Sequence, residues 1–171
     1  ARLRDGNRRF VADQGAPPPS RPRTSGAQSP FAIVLGCSDS RVPSELVFGQ
    51  GFGDLFVIRV AGNIVAPSQL GSIEFAAARF GTRLAVVLGH TECGAVTATV
   101  EELRKPTPNQ SPNLHDIVER IRPSVEPLLA TPLAKDQDAL IAQAVRANIR
   151  TTASQLRHGS AILERLIAKE G

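Results

Sequence analysis

Ile33-Val34-Leu35-Gly36-Cys37 and Val86-Val87-Leu88-Gly89-His90, the latter running straight on into Thr91-Glu92-Cys93, are two versions of one pattern. Each is a continuous apolar run, then glycine, then a side chain able to bind a metal. Short runs of this kind, rich in Val and Ile and bounded by Gly, read as buried strands of a parallel sheet. Ligands of such sheets collect beyond the carboxyl ends of the strands. If the two runs are neighbours, Cys37, His90 and Cys93 arrive at one edge together, although more than fifty residues of chain separate Cys37 from His90. A Cys, His, Cys set is a zinc set, and three protein ligands leave the fourth tetrahedral position over, as in catalytic zinc sites.

The residues after Cys37 add chemistry to this. In Ser38-Asp39-Ser40-Arg41 a carboxylate stands two positions from the thiolate and a guanidinium two further on. Asp39 can take the fourth zinc position itself, or it can be held off by a bidentate pair with Arg41 and accept a hydrogen bond from water at the metal. Two thiolates already neutralise Zn²⁺, so binding Asp39 as well would make the site anionic. The held-off arrangement is the one suited to a working enzyme, with Asp39 a metal ligand only in a closed state.

Cys37-Ser-Asp-Ser-Arg41 with His90-x-x-Cys93-Gly94 resembles the zinc signature of the β-class carbonic anhydrases. Asp54-Leu-Phe56-Val-Ile-Arg59, Ala61-Gly62-Asn63 and Gly71-Ser72-Ile73-Glu74-Phe75 follow in that family's order and spacing, and the likeness runs from about Gly6 through the C-terminal helices. The resemblance implies an α/β chain with a central, mostly parallel β-sheet flanked by helices, in the Rossmann-like β-carbonic anhydrase fold. It implies one Zn²⁺ per subunit and reversible hydration of CO₂ to bicarbonate, with hydroxide at the zinc oriented by Asp39 and Arg41. It also implies substrate contacts from Gln28, the backbone N–H of Gly94, and Phe56 and Phe75 lining an apolar slot. For Phe56, core packing is as good a reading. Family sites lie at subunit interfaces, which implies a homodimer or a tetramer of dimers. Family members also run on past the last helix of this chain into another strand, so a truncated C-terminus is expected. Hydrolysis of CS₂ or COS at the same site, or a purely structural zinc in an assembly protein, are the competing readings.

Composition narrows the field. The 171 residues form one domain, 42% of them apolar, with 20 Lys and Arg against 16 Asp and Glu. The basic cluster Arg2, Arg4, Arg8, Arg9, Arg21 and Arg23 lacks stacking aromatics, there being no Trp and no Tyr, so nucleic acid is not the expected partner. The metal reading uses both cysteines; a disulfide would leave Asp39, Arg41 and His90 without a common purpose. No apolar run approaches the ~20 residues of a membrane span, and no signal peptide is visible. A cytoplasmic location is expected, with the periplasm open because the sequence starts at Ala1 rather than Met.

The order of elements follows from periodicity and punctuation. Residues 1–30 read as an N-terminal helix over Ala1–Asp13, with Leu3, Phe10 and Val11 as a thin apolar stripe, and an extended proline-rich dimerisation arm over Gly15–Pro30. Residues 31–171 read as the zinc-binding catalytic domain. Strands are expected over Phe31–Gly36, Leu55–Val60 and Leu84–Gly89. Helices are expected over Pro43–Val47, Pro67–Phe80 with Ser68 as cap, and Cys93–Lys105. A further helix carrying Leu114, Ile117, Val118 and Ile121 should break at Pro123, and two more follow, over Asp136–His158 and from Ser160 through Lys169. Gly49-Gln50-Gly51-Phe52-Gly53 precedes a strand instead of following one and lacks the last glycine of a dinucleotide loop, so it is not one.

Overall fold

The computed structural model describes residues 1–14, 28–108 and 111–170. Three parallel strands, β1 (Ala32–Gly36), β2 (Leu55–Arg59) and β3 (Ala85–Leu88), stand in the order β2-β1-β3. The two echoing runs are therefore neighbours, with Ile33 opposite Ala85 and Gly36 opposite Leu88. All five residues of β1 are buried, as its central place and unbroken apolar run require. Helix α3 (Pro67–Arg79) makes the crossover from β2 to β3 and packs on the sheet; after the last strand come α4 (Gly94–Arg104), α5 (Pro112–Leu129), α6 (Gln137–His158), which packs on β3, and α7 (Ala161–Glu170), while α1 (Arg2–Val11) packs against the short α2 (Ser44–Val47).

Two apolar cores result. One gathers Ile33, Leu35, Ile73, Ala76, Ala77, Leu156 and Leu163 with half-buried Phe56 and Phe80. The other gathers Val96, Val100, Ile121, Val125, Leu140 and Ala144, and it includes both cysteines. Helix α6 spans the body: Asp136 caps it by accepting from the Ala139 N–H, and its buried Asn148 and Thr152 donate to the carbonyls of Gly62 and Asn63. Helix α7 is capped by Ser160, whose hydroxyl accepts from the Leu163 N–H and donates to Glu74 of α3.

Several local expectations are corrected. Helix α5 does not break at Pro123 but continues through Pro123 and Pro127 to Leu129. Both prolines are exposed, four residues apart on the solvent side, where a helix can open its carbonyls to water while Val118, Ile121 and Val125 stay buried beneath. Ser68 does not cap α3: Ala66 holds the cap position, Pro67 fills the first turn, and the Ser68 hydroxyl bonds Gln69 instead. Nor does α1 dock through an apolar stripe, since Phe10 and Val11 are exposed. It docks through Gly6, buried against the carbonyl of Phe48, with the Asn7 amide donating to the Val47 carbonyl. Arg2 completes the contact, paired with Asp54 at 2.9 Å and lying over the Phe31 ring. Of the expected arm, residues 15–27 lie outside the described residues; Gln28 and Ser29 are exposed and Pro30 is buried.

A Cβ on Gly6 would fall 1.6 Å from the Phe48 carbonyl oxygen. Gly6→Ala should therefore undock α1 while leaving the sheet intact. Limited trypsin treatment should then cleave after Arg8 and Arg9 much faster than in the parent protein, with the far-ultraviolet spectrum of the remainder unchanged; equal cleavage rates would contradict this docking.

Candidate metal centre

The strands deliver their ligands as parallel pairing dictates. Cys37 follows β1 directly, His90 lies two residues beyond β3, and Cys93 is the residue before the first turn of α4, where backbone N–H groups point outward. The three ligand atoms lie within 4.8 Å of one another. Cys37 Sγ and Cys93 Sγ are 3.9 Å apart, and both thiols are free. A disulfide would need about 2 Å. Two sulfurs bound tetrahedrally to one zinc, each at about 2.3 Å, would lie about 3.8 Å apart, so the spacing fits a shared ion.

His90 agrees with this. Its Nδ1 is 2.8 Å from the Thr91 carbonyl oxygen, which can only accept, so Nδ1 carries the hydrogen and Nε2 keeps its lone pair. That Nε2 is buried without a partner, a costly state for a polar atom unless a ligand completes it. The side chains present therefore fit Zn²⁺.

The sulfurs are not equivalent. Cys37 is pushed down to about 4, first by the hydrogen bond from the Cys93 thiol, then by His90 and the backbone N–H groups of Asp39 and Gly62, all against the cost of burial. Cys93 is pushed up, first by that same bond and then by burial. Without a cation the pair thus holds one proton between two buried sulfurs. The Gly62 N–H reaches Cys37 Sγ at 3.3 Å only because Gly62 adopts φ of +70°, and a side chain there would meet Ile121 at 2.6 Å. Since Asn148 fixes the carbonyl of the same residue, α6 positions a donor to the thiolate.

Asp39 and Arg41 form the bidentate pair that their spacing predicts, Nε to Oδ1 at 2.9 Å and Nη2 to Oδ2 at 2.8 Å, with the Arg41 backbone N–H also on Oδ1. These bonds hold the Asp39 carboxyl well below the usual carboxylate range, and Arg41 is raised in turn. Oδ2, with one fewer donor, faces the site 3.8 Å from His90 Nε2. Gly94 opens α4 beside Cys93. Phe56 and Phe75 form an aromatic trio with Phe80, ring centroids 5.4 to 6.5 Å apart; Phe56 and Phe80 pack against the core that lacks the cysteines, and Phe75 is half exposed. Gln28 is exposed.

Two groups escape a reading by motif. Arg59, at the end of β2, donates to the carbonyls of Cys37 and Asp39 and pins the turn that carries them. Glu92, between two ligand positions, meets Arg41. A cation closing an apolar strand is the signal for Arg59; Glu92 carries none, because its contact crosses fifty-one residues of sequence.

Residues 32–171 match the family model described as carbonic anhydrase. The chain belongs to the β-carbonic anhydrase family. It is 46% identical over 129 residues to a carbonic anhydrase of Mycolicibacterium smegmatis and 42% identical over 127 residues to carbonic anhydrase 2 of Mycobacterium tuberculosis. Each alignment covers 72% of this chain, which spans only 61% of either relative. Among solved β-carbonic anhydrases, one from Aspergillus fumigatus superposes with a TM-score of 0.74 at 26% identity, covering 85% of this chain and 68% of that one. A structure described as tetrameric, from Sordaria macrospora, gives 0.72 at 25% identity, covering 85% and 73%.

Because the contact between the thiols pulls Cys37 down and pushes Cys93 up, metal uptake should release about one thiol proton per ion rather than two. Calorimetric titration of the metal-free protein with Cd²⁺ at pH 7.5, in buffers of different ionisation enthalpy, measures this. Two protons per ion would contradict the shared-proton pair.

Proposed function

We propose that this chain catalyses the reversible hydration of carbon dioxide, CO₂ + H₂O giving HCO₃⁻ + H⁺, as part of a zinc enzyme. The observation that carries the reading is the combination of three convergent ligands with an ionised Asp39 that Arg41 holds beside them. A structural zinc needs four protein ligands and no poised carboxylate. Zinc bound by Cys37, His90 and Cys93 would supply the Lewis acidity that makes hydroxide available near neutral pH.

The side chains do the rest. Asp39 Oδ2 accepts the hydrogen of the attacking oxygen, which turns that oxygen's lone pair toward carbon; Arg41 keeps the carboxylate ionised and stops it swinging onto the metal. The Gly94 N–H, one of the unpaired donors at the start of α4, would donate to a substrate oxygen as negative charge develops there. Phe56 packs against the core that lacks the cysteines and Phe75 is half exposed beside it; by the family resemblance they and Gln28 would line the substrate slot of a neighbouring subunit. A homodimer, or a tetramer of dimers, is the working unit this reading calls for, in keeping with the tetrameric structure from Sordaria macrospora to which the chain is similar. Thiols that must stay reduced to bind metal suit the cytoplasm. No described helix is long and apolar enough to cross a membrane.

Asp39→Ala should lower CO₂ hydration by about 10- to 100-fold, the usual cost of removing a group that orients a metal's ligand, with zinc content unchanged. Stopped-flow hydration with metal analysis alongside checks it. Equal rates would remove Asp39 from the mechanism. No CO₂ turnover at full zinc, with turnover of CS₂ or COS, would move the site to sulfur substrates.

A further inference from the structure

Resting on that reading, we propose that Glu92 is a positioning residue, which holds Arg41 from the side opposite Asp39 and so fixes where the Asp39 carboxylate stands relative to the ligands. Arg41 is gripped on both sides. Its Nε and Nη2 hold Asp39, Nη2 also donates to the Glu92 carbonyl at 3.2 Å, and Nη1 faces the Glu92 carboxylate at 3.5 Å. Asp39 belongs to the loop after β1 that carries Cys37, and Glu92 to the loop after β3 that carries His90 and Cys93. The guanidinium therefore bridges both loops, and Glu92 is its hold on the second.

The backbone of Glu92 is shaped for this contact. Its φ is +53°, in the left-handed region that an L side chain rarely adopts, and both the carbonyl and the carboxylate of this residue reach Arg41. A residue held in a sparsely populated conformation and turned onto a single partner points to a task at that partner. The task is not stability, because the Glu92 side chain is 84% exposed and an exposed pair of this length contributes little to folding. Geometry is another matter. Nη1 has no other partner among these contacts, and a guanidinium free to pivot about its bond to Asp39 would carry the carboxylate with it, since Oδ1 and Oδ2 are both in its grip. Where Oδ2 stands decides whether it meets the hydrogen of an attacking oxygen or drifts toward the metal.

The test compares Glu92→Gln, which removes charge and keeps an acceptor, with Glu92→Lys, which pushes Arg41 away. Both should keep the parent Tm and zinc content. The value of kcat should fall about 2- to 5-fold in E92Q and about tenfold or more in E92K with KM unchanged, the pattern of a contact that matters only in the transition state. In the Asp39→Ala background, E92K should change nothing further, because the carboxylate that Glu92 positions is gone. A metal-free readout runs in parallel: in protein labelled with ¹⁵N-arginine, the Nη groups of Arg41 should be resolved in the parent and averaged in E92K. If D39A is impaired but E92K keeps both the parent kcat and resolved Nη signals, the proposal is wrong and the function stands. If D39A itself has the parent rate, the mechanism under it is wrong. A KM rise at constant kcat in E92K, or a further loss in the double variant, would place Glu92 in another role.

Discussion

Two sulfur atoms buried 3.9 Å apart cannot both carry a negative charge in an apolar core unless a cation stands between them. That constraint organises the molecule. It explains why the sheet sends Cys37 and Cys93 to one place from strands far apart in sequence, and why His90 leaves a bare nitrogen facing inward. It also explains why the turn at Gly62 is braced by a 22-residue helix simply to aim one N–H at Cys37. The same contact pulls the Cys37 thiol down and pushes the Cys93 thiol up, which favours a single charge on the pair until a divalent ion is bound.

Around this centre the charged groups form a frame of a different kind. Arg59 holds the first ligand loop from the side of β2 through two carbonyls, and Arg41 joins that loop to the second one. Both are cations that donate to backbone carbonyls of the ligand loops, so they fix position more than they add stability. Asp39 is caught in this frame with one oxygen committed twice over and the other turned inward. The role proposed for Asp39 depends on that asymmetry, since an oxygen with a spare lone pair is what an incoming O–H requires.

Much of this was legible in the letters, for reasons that are local. A buried parallel strand must be apolar throughout, so the two runs before Cys37 and His90 announced both the pairing and the ligand edge. The Asp39 and Arg41 pair was legible because two residues of separation suit a bidentate contact. What the letters hid depends on partners distant in sequence or on which face meets water. Pro123 looks like a helix end until its exposure is known. The apolar residues of α1 form a thin stripe in the sequence, whereas close backbone contact is made at the one residue with no side chain, Gly6, with the polar Asn7 and Arg2 beside it. Ser68 looked like a cap, but Pro67 had already set the first turn. Phe56 packs against the core that lacks the cysteines while Phe75 stands half exposed beside it, a difference in burial that their shared motif order does not reveal.

Cys37 comes one residue after the central strand, and His90 comes two after its neighbour. Side chains of extended backbone alternate from face to face, so adding or deleting a single residue within either strand would turn the ligand to the opposite side of the sheet. Length changes in this scaffold are thus confined to the connections that enter the strands and to the far ends of the helices, while the ligand ends keep a fixed count. The metal acts as a ruler for two strands at once, and drift in chain length is tolerated only where that ruler does not reach.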